Sequence, residues 1–237
     1  QLENLLTDLG EKKFAARQLR QWLIKGAAFE EMTNLSKPLR EKLRGQYSEG
    51  YAKIAQKHMS KDGTVKYLLE MTDGSLIECV VMQYHHGRTL CMSTQVGCRM
   101  GCVFCASGIE GLVRQLSAGE MLSELIAARE SGDIGNVVLM GSGEPLDNYD
   151  NVTAFIRALQ AEFGIGMRHI SLSTCGLVPG ILKLADEGLS VTLCLSLHSA
   201  IDEKRKKLMP VAKAYTVNEI IQAAKVYFKK TGRRIII

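Results

Sequence analysis

Three cysteines share one short run, CRMGCVFC, in which Cys98, Cys102 and Cys105 are separated by three and then two residues. Thiolates are soft ligands that suit zinc or iron–sulfur clusters. A structural zinc site closes four ligands, usually as two separated pairs, whereas this loop offers three and leaves a position for something other than protein. The spacing favours an iron–sulfur cluster over zinc, and zinc over thiols without a ligand. Further along, MGSGEPL delivers Glu144 behind a Gly-x-Gly turn, LSTCG offers Ser173 beside Cys175, and SLH offers Ser196 and His198. Each alone reads as an ordinary turn or rim residue. Together, at four successive positions of one kind, they read as a single site.

The elements that must hold these residues follow from periodicity. Apolar strands are predicted at TLCMSTQV, IGNVVLMGS, HISLSTC, SVTLCLSL and RRIII, with amphipathic helices between them near 117–131, 148–161, 178–187 and 216–230. Alternation of this kind predicts an α/β fold, a parallel sheet with helices outside, open or curled into a barrel. Chemistry in such folds gathers at the C-terminal strand ends, where the residues above fall. Upstream, TVKYLLEM and SLIECVVMQY read as two strands joined at Asp73-Gly74. Before them, Leu2, Leu5, Leu6 and Leu9 mark a helix ended by Gly10, and Phe14 to Ile24 a second, closed by Gly26. SKPLREKL starts a third, with Ser36 as N-cap and Pro38 in the first turn. The expected organisation is a helical domain over 1–45, a β-hairpin linker over 46–88 and the α/β core over 89–237.

Lys12, Lys13, Arg17, Arg20, Lys25, Lys37, Arg40, Lys42 and Arg44 stud the first helices. Each is read as part of a solvated face, and the group as a basic module able to touch nucleic acid. The net charge of +5 agrees. The 237 residues are 46% hydrophobic and 23% charged, without an apolar run long enough for a bilayer or an export signal. The expectation is a soluble, cytoplasmic protein. Seven cysteines, an odd number, argue against a disulfide framework. A first residue other than Met and the final RRIII suggest a fragment.

The runs TLCMSTQVGCRMGCVFCASG, GSGEPLDNYDNV, ISLSTCGLVPGI, SLHSAIDEKRKKLMP, KDGTVKYLLEM and MTNLSKPLREKL together closely resemble RlmN-type 23S rRNA (adenine-C2) methyltransferases. These belong to the radical S-adenosylmethionine (SAM) superfamily, and the Cfr-type adenine-C8 methylases are near relatives. The resemblance covers the whole chain and implies a partial (β/α) radical SAM barrel. It implies that Cys98, Cys102 and Cys105 hold a [4Fe–4S] cluster whose open iron binds SAM. Phe104, Gly143, Glu144, Ser173, Ser196, Leu197 and His198 match SAM contacts, Glu78 a general base, and Cys91 one of two catalytic cysteines.

In the resembled mechanism the other cysteine is methylated by one SAM, and a radical from a second SAM activates that methyl group. The carbon radical attacks adenine C2, and the upstream cysteine then resolves the protein–RNA adduct through a disulfide. The methyl-carrying cysteine and a late SAM-binding Asn are expected beyond Ile237, so these 237 residues alone are expected not to methylate. Ala212 stands where the family usually has Asn. Cys79, Cys175 and Cys194 are expected to be packing thiols. Implied partners are 23S rRNA, tRNA as an additional substrate, and a reductant such as flavodoxin or ferredoxin, with the protein a monomer away from membranes. The other readings are a C8 methylase, a radical SAM activase or isomerase, and a zinc-stabilised RNA-binding protein.

Overall fold

The computed structural model describes residues 2–237, which divide into two compact units meeting at residues 51 and 52. The first unit holds three helices, α1 (Leu2–Asp8), α2 (Lys13–Ile24) and α3 (Lys37–Gln46). Gly10 and Gly26 follow the first two with φ of 79° and 76°, backbone that only glycine takes without cost. Ser36 Oγ accepts the Leu39 N–H at 3.3 Å and starts α3. Leu6, Leu19, Phe29, Met32, Leu39 and Leu43 form the core of this unit. Its lysines and arginines stay exposed, except Arg40, which is half-buried.

The second unit begins with four strands, β1 (Lys53–Met59), β2 (Val65–Glu70), β3 (Leu76–Tyr84) and β4 (Gly87–Met92). A short ribbon of β5 (Gln95–Gly97) and β6 (Leu112–Gln115) follows, then α4 (Ala118–Ala128), β7 (Ile134–Leu139) and α5 (Tyr149–Phe163). The chain continues through β8 (Ile170–Thr174), α6 (Val178–Asp186), β9 (Thr192–Leu195), α7 (Asp202–Leu208), α8 (Val217–Thr231) and β10 (Ile235–Ile236). One sheet runs in the order β1-β2-β3-β4-β7-β8-β9-β10. Neighbours from β1 to β4 are antiparallel, and those from β4 to β10 are parallel. This is the partial (β/α) barrel expected, and β1 to β3 extend its sheet.

Local chemistry explains the helices. Ser117 and Glu120 close a capping box on α4, Thr216 and Glu219 close one on α8, and left-handed glycines at 164 and 232 end α5 and α8. Leu90, Val137, Leu172 and Leu193 of successive strands pack with Leu125, Phe155, Ile181 and Tyr227 of the helices in one core. All four residues of β9 are buried, as a parallel strand covered on both faces requires.

Two expectations need correction. The run TLCMSTQV is not one strand: β4 stops at Met92, and Gln95–Gly97 turns away to pair with β6. The break has a cause, because Ser93 is tied elsewhere. Its N–H donates to Glu124, and its hydroxyl donates to the Glu78 carbonyl at 2.8 Å. The second is β1, exposed at every residue and unread in the sequence for want of an apolar face.

Candidate active site

The parallel strands end around a cavity of about 220 Å³. Cys98, Cys102 and Cys105 line it from the loop after β5, and Phe104 stands among them. Gly143 and Glu144 come from the end of β7, Ser173 from β8, and Ser196 and His198 from beyond β9. The candidate residues of four chain segments therefore meet in one place. Leu197 does not line the cavity, and neither Glu78 nor Cys91 does. Met100, Met140, Thr174, Cys175 and Met209 line it without having been read from the sequence as site residues.

Glu144 is 4% exposed. One of its oxygens accepts the Leu146 N–H at 3.0 Å and the other the Cys175 N–H at 2.7 Å. Burial raises its pKa, and these N–H donors work against that rise. Each carboxylate oxygen carries a further lone pair, so the group can still accept from an ammonium entering the cavity. Cys175, expected as a packing thiol, is buried as expected and also faces this cavity, with its N–H holding Glu144. Cys79 and Cys194 are buried.

Ser173 Oγ and Ser196 Oγ lie 3.0 Å apart, joining two strand ends. His198 has φ of 56°, the one positive φ outside glycine among the described residues. Such backbone is costly for a side chain and concentrates at functional sites. Its ring meets that of Phe104 with centroids 4.5 Å apart, so the unusual backbone aims His198 at the thiol loop.

Burial, then the neighbouring thiols, pushes Cys102 up. Cys98 is raised by burial first, with Glu144 and Cys105 adding to it. Thiolates are the form that binds metal, and an iron–sulfur group would supply the positive charge that favours them at this partly buried place. Among the described residues no three His, Cys, Asp or Glu groups converge on one ion. The thiols instead surround a space, which fits a multi-iron group with an organic ligand better than a closed zinc site. All seven cysteines are free, so the disulfide implied by the resemblance is not formed among them.

Cys91 and Glu78 lie to one side. Cys91 of β4 pairs with Val80 of β3 and Val138 of β7, and Glu78 is two residues from Val80. The two-residue period of strands puts Glu78, Val80 and Cys91 on one face of the sheet. Glu78 is exposed and paired with Lys66 at 2.6 Å. Cys91 is half-buried, and its pKa is raised by burial and then by Glu124, while the backbone N–H of cavity-lining Met140 opposes that rise.

Behind this strand, the fully buried Glu124 accepts the Ser93 N–H at 2.9 Å through one oxygen, and its other oxygen has no partner among the described residues. Burial pushes its carboxyl well above the ordinary 4.5. The unfolded group releases its proton near 4.5 while the folded one keeps it to higher pH. Folding therefore takes up a proton in that window, and stability falls as pH rises through it. Glu124→Gln should remove this slope, so its stability advantage grows as pH rises from about 5 toward neutrality. Thermal melts across that range check it, and parallel curves for the two proteins would exclude the effect.

Comparison with known proteins decides the family. The radical SAM superfamily pattern matches residues 92–237, and that of the ribosomal RNA large subunit methyltransferase N-terminal domain matches 1–48. A probable dual-specificity RNA methyltransferase RlmN from Clostridium perfringens is 51% identical over 242 residues, covering 99% of this chain and 70% of that protein. The chain belongs to the RlmN family of the radical SAM superfamily. Its relative of the same description from Alkaliphilus oremlandii is 52% identical, with the same coverage. A crystal structure of a radical SAM methyltransferase from Sphaerobacter thermophilus superimposes with a TM-score of 0.93 at 39% identity, over 99% of this chain and 72% of that one. Membership of this RlmN family implies a [4Fe–4S] cluster and SAM, which sets aside the zinc reading. Among the described residues no helix is long and apolar enough to cross a membrane.

Proposed function

We propose that this protein methylates C2 of a specific adenine in 23S rRNA, with tRNA as a second substrate. The observation that carries the reading is the cavity itself, where three thiols of one loop meet Glu144, Ser173, Ser196 and His198 from separate strand ends. In this reading Cys98, Cys102 and Cys105 hold the cluster. Glu144 receives the SAM ammonium, the hydroxyls of Ser173 and Ser196 bind polar groups of SAM, and Phe104, Gly143, Leu197 and His198 shape its pocket. Bound there, cluster and SAM supply the radical chemistry that adenine C2 requires, since that carbon has no lone pair to attack a methyl sulfonium. Glu78 takes the proton that the adenine gives up, and Cys91 releases the RNA from its covalent adduct. Their placement on one face of the sheet supports a shared task.

Residues 1–45 act as the RNA-docking domain, 46–88 join it to the core, and 89–237 form the radical SAM core. A flavodoxin or ferredoxin supplies electrons, and the protein works as a monomer in the cytoplasm. The test is a methylation assay on 23S rRNA with the anaerobically reconstituted product of the gene that contains this sequence. Mass spectrometry of the digested nucleosides should show 2-methyladenosine. A product of 8-methyladenosine would support the Cfr-type alternative, and RNA without any new methyl group would overturn both. RNA affinity should also fall steeply with salt, because phosphate contacts release counterions.

A further inference from the structure

Arg99 lies inside the thiol loop, between Cys98 and Cys102. Its guanidinium grips Asp147, which follows the Glu144 turn. Arg99 Nε donates to Asp147 Oδ2 at 2.9 Å and to Oδ1 at 3.1 Å, and Nη2 donates to Oδ1 as well. Asp147 is not an isolated surface acid, since its side chain is only 10% exposed against 59% for Arg99. It also accepts from Gln95 Nε2 at 2.8 Å, and Gln95 Oε1 accepts the N–H of Glu144 at 2.8 Å. Gln95 is fully buried. Gln115 adds a bond from its Nε2 to the Asp147 carbonyl at 3.0 Å and accepts from Gln95 Nε2 at 2.8 Å. One carboxylate thus connects the thiol loop, the Glu144 turn and the β5–β6 ribbon.

We propose that the Arg99–Asp147 pair, seated on Gln95, is a latch that makes the thiol loop and the Glu144 turn move as one body. Arg99 and Asp147 are positioning residues through which cluster retention and SAM affinity depend on the same contact. The inference rests on the reading above that the thiols hold the cluster and Glu144 meets SAM. Exposed ion pairs contribute little when mobile, but a forked guanidinium–carboxylate pair with one partner buried and otherwise bonded fixes geometry. The latch matters because a cluster held at three points and an amino acid held at Glu144 must meet within bonding distance. A loop free to shift by an ångström would lose that alignment.

The experiment is a double-mutant cycle on the reconstituted holoprotein with Arg99→Met, Asp147→Ala and the pair together. The readouts are iron and sulfide per chain, SAM affinity, and the change that SAM causes in the electron paramagnetic resonance spectrum of the reduced cluster. Each single variant should lower SAM affinity by about 10–100-fold and blunt the spectral change. The double variant should be no worse than the more damaging single one. Losses that multiply would show two independent residues and overturn the latch. So would an Arg99→Met protein with parental SAM affinity, or one that only melts earlier. Arg99→Lys, which keeps the charge without the fork, should recover only part of the affinity. If Cys98→Ala keeps its iron and sulfide, the underlying site reading fails instead, whatever the cycle gives.

Discussion

Replacing any one of Cys98, Cys102 or Cys105 by Ala is expected to leave a chain that no longer retains iron and sulfide after reconstitution and no longer cleaves SAM. The three thiols face one cavity from one loop, with no other cysteine of that loop to substitute for a lost one. Cys175 shares the cavity, but it is buried directly after β8, outside the thiol loop, and burial followed by Glu144 pushes its thiol up. The contrast is therefore specific. Cys79→Ala and Cys194→Ala should cost packing energy and keep the cluster, because both side chains are buried and line no part of the cavity. Iron and sulfide assays with absorbance of the brown protein separate the outcomes. A Cys102→Ala protein that retains a full cluster while Cys194→Ala loses it would remove the basis of the site.

Gly143→Ala should strongly destabilise this chain and disturb its site at the same time. Gly143 has φ of 104°, and a Cβ there would stand 2.6 Å from Gln95 Cβ and 2.9 Å from Gln95 N. Neither atom can swing aside, since both belong to a buried residue fixed by its bonds to Glu144, Asp147 and Gln115. Strained backbone and overpacking together give a loss of about 2–5 kcal/mol. Gly188→Ala provides the control. Its φ of 69° is also positive, but nothing lies within 4 Å of the added carbon, so it should lose only about 1 kcal/mol from backbone strain. Denaturant titration of both variants measures the gap. Equal losses would mean that crowding against Gln95 contributes nothing. Because Glu144 is the next residue, Gly143→Ala should also weaken SAM binding in whatever fraction remains folded.

What the sequence disclosed and what it hid divide along physical lines. The three helices of the first unit, the parallel strands and the four long helices of the second were visible because each buries one face and shows period. The thiol loop was visible because its spacing is chemically restrictive. β1 was hidden, being exposed at all seven residues and so without alternation. α7 was hidden inside a charged run, DEKRKKL, whose one fully buried side chain is an arginine. Cys175 read as a packing thiol because sequence shows that a strand end is apolar but not which cavity it borders. Gln95 and Asp147 gave no signal at all. They are 52 residues apart, and amide and carboxylate side chains carry no periodic mark of the partner they will find.

β4 is the strand on which the sheet changes from antiparallel to parallel pairing, with β3 on one side and β7 on the other. It therefore works as a ruler between Cys91 and the thiol loop. Both ladders fix Cys91, and Ser93, Thr94 and Gln95 are pinned by bonds to Glu124, Ser142 and Asp147, leaving no slack before Cys98. A residue inserted or deleted within 92–97 cannot be absorbed there. It must either displace the thiols from the cavity or slip the strand, and a slip of one turns Cys91 to the opposite face, away from Glu78. The hairpin at residues 84–87, at the other end of the same strand, carries no such constraint. Length variation in related chains should collect at that hairpin and be missing between Cys91 and Cys98.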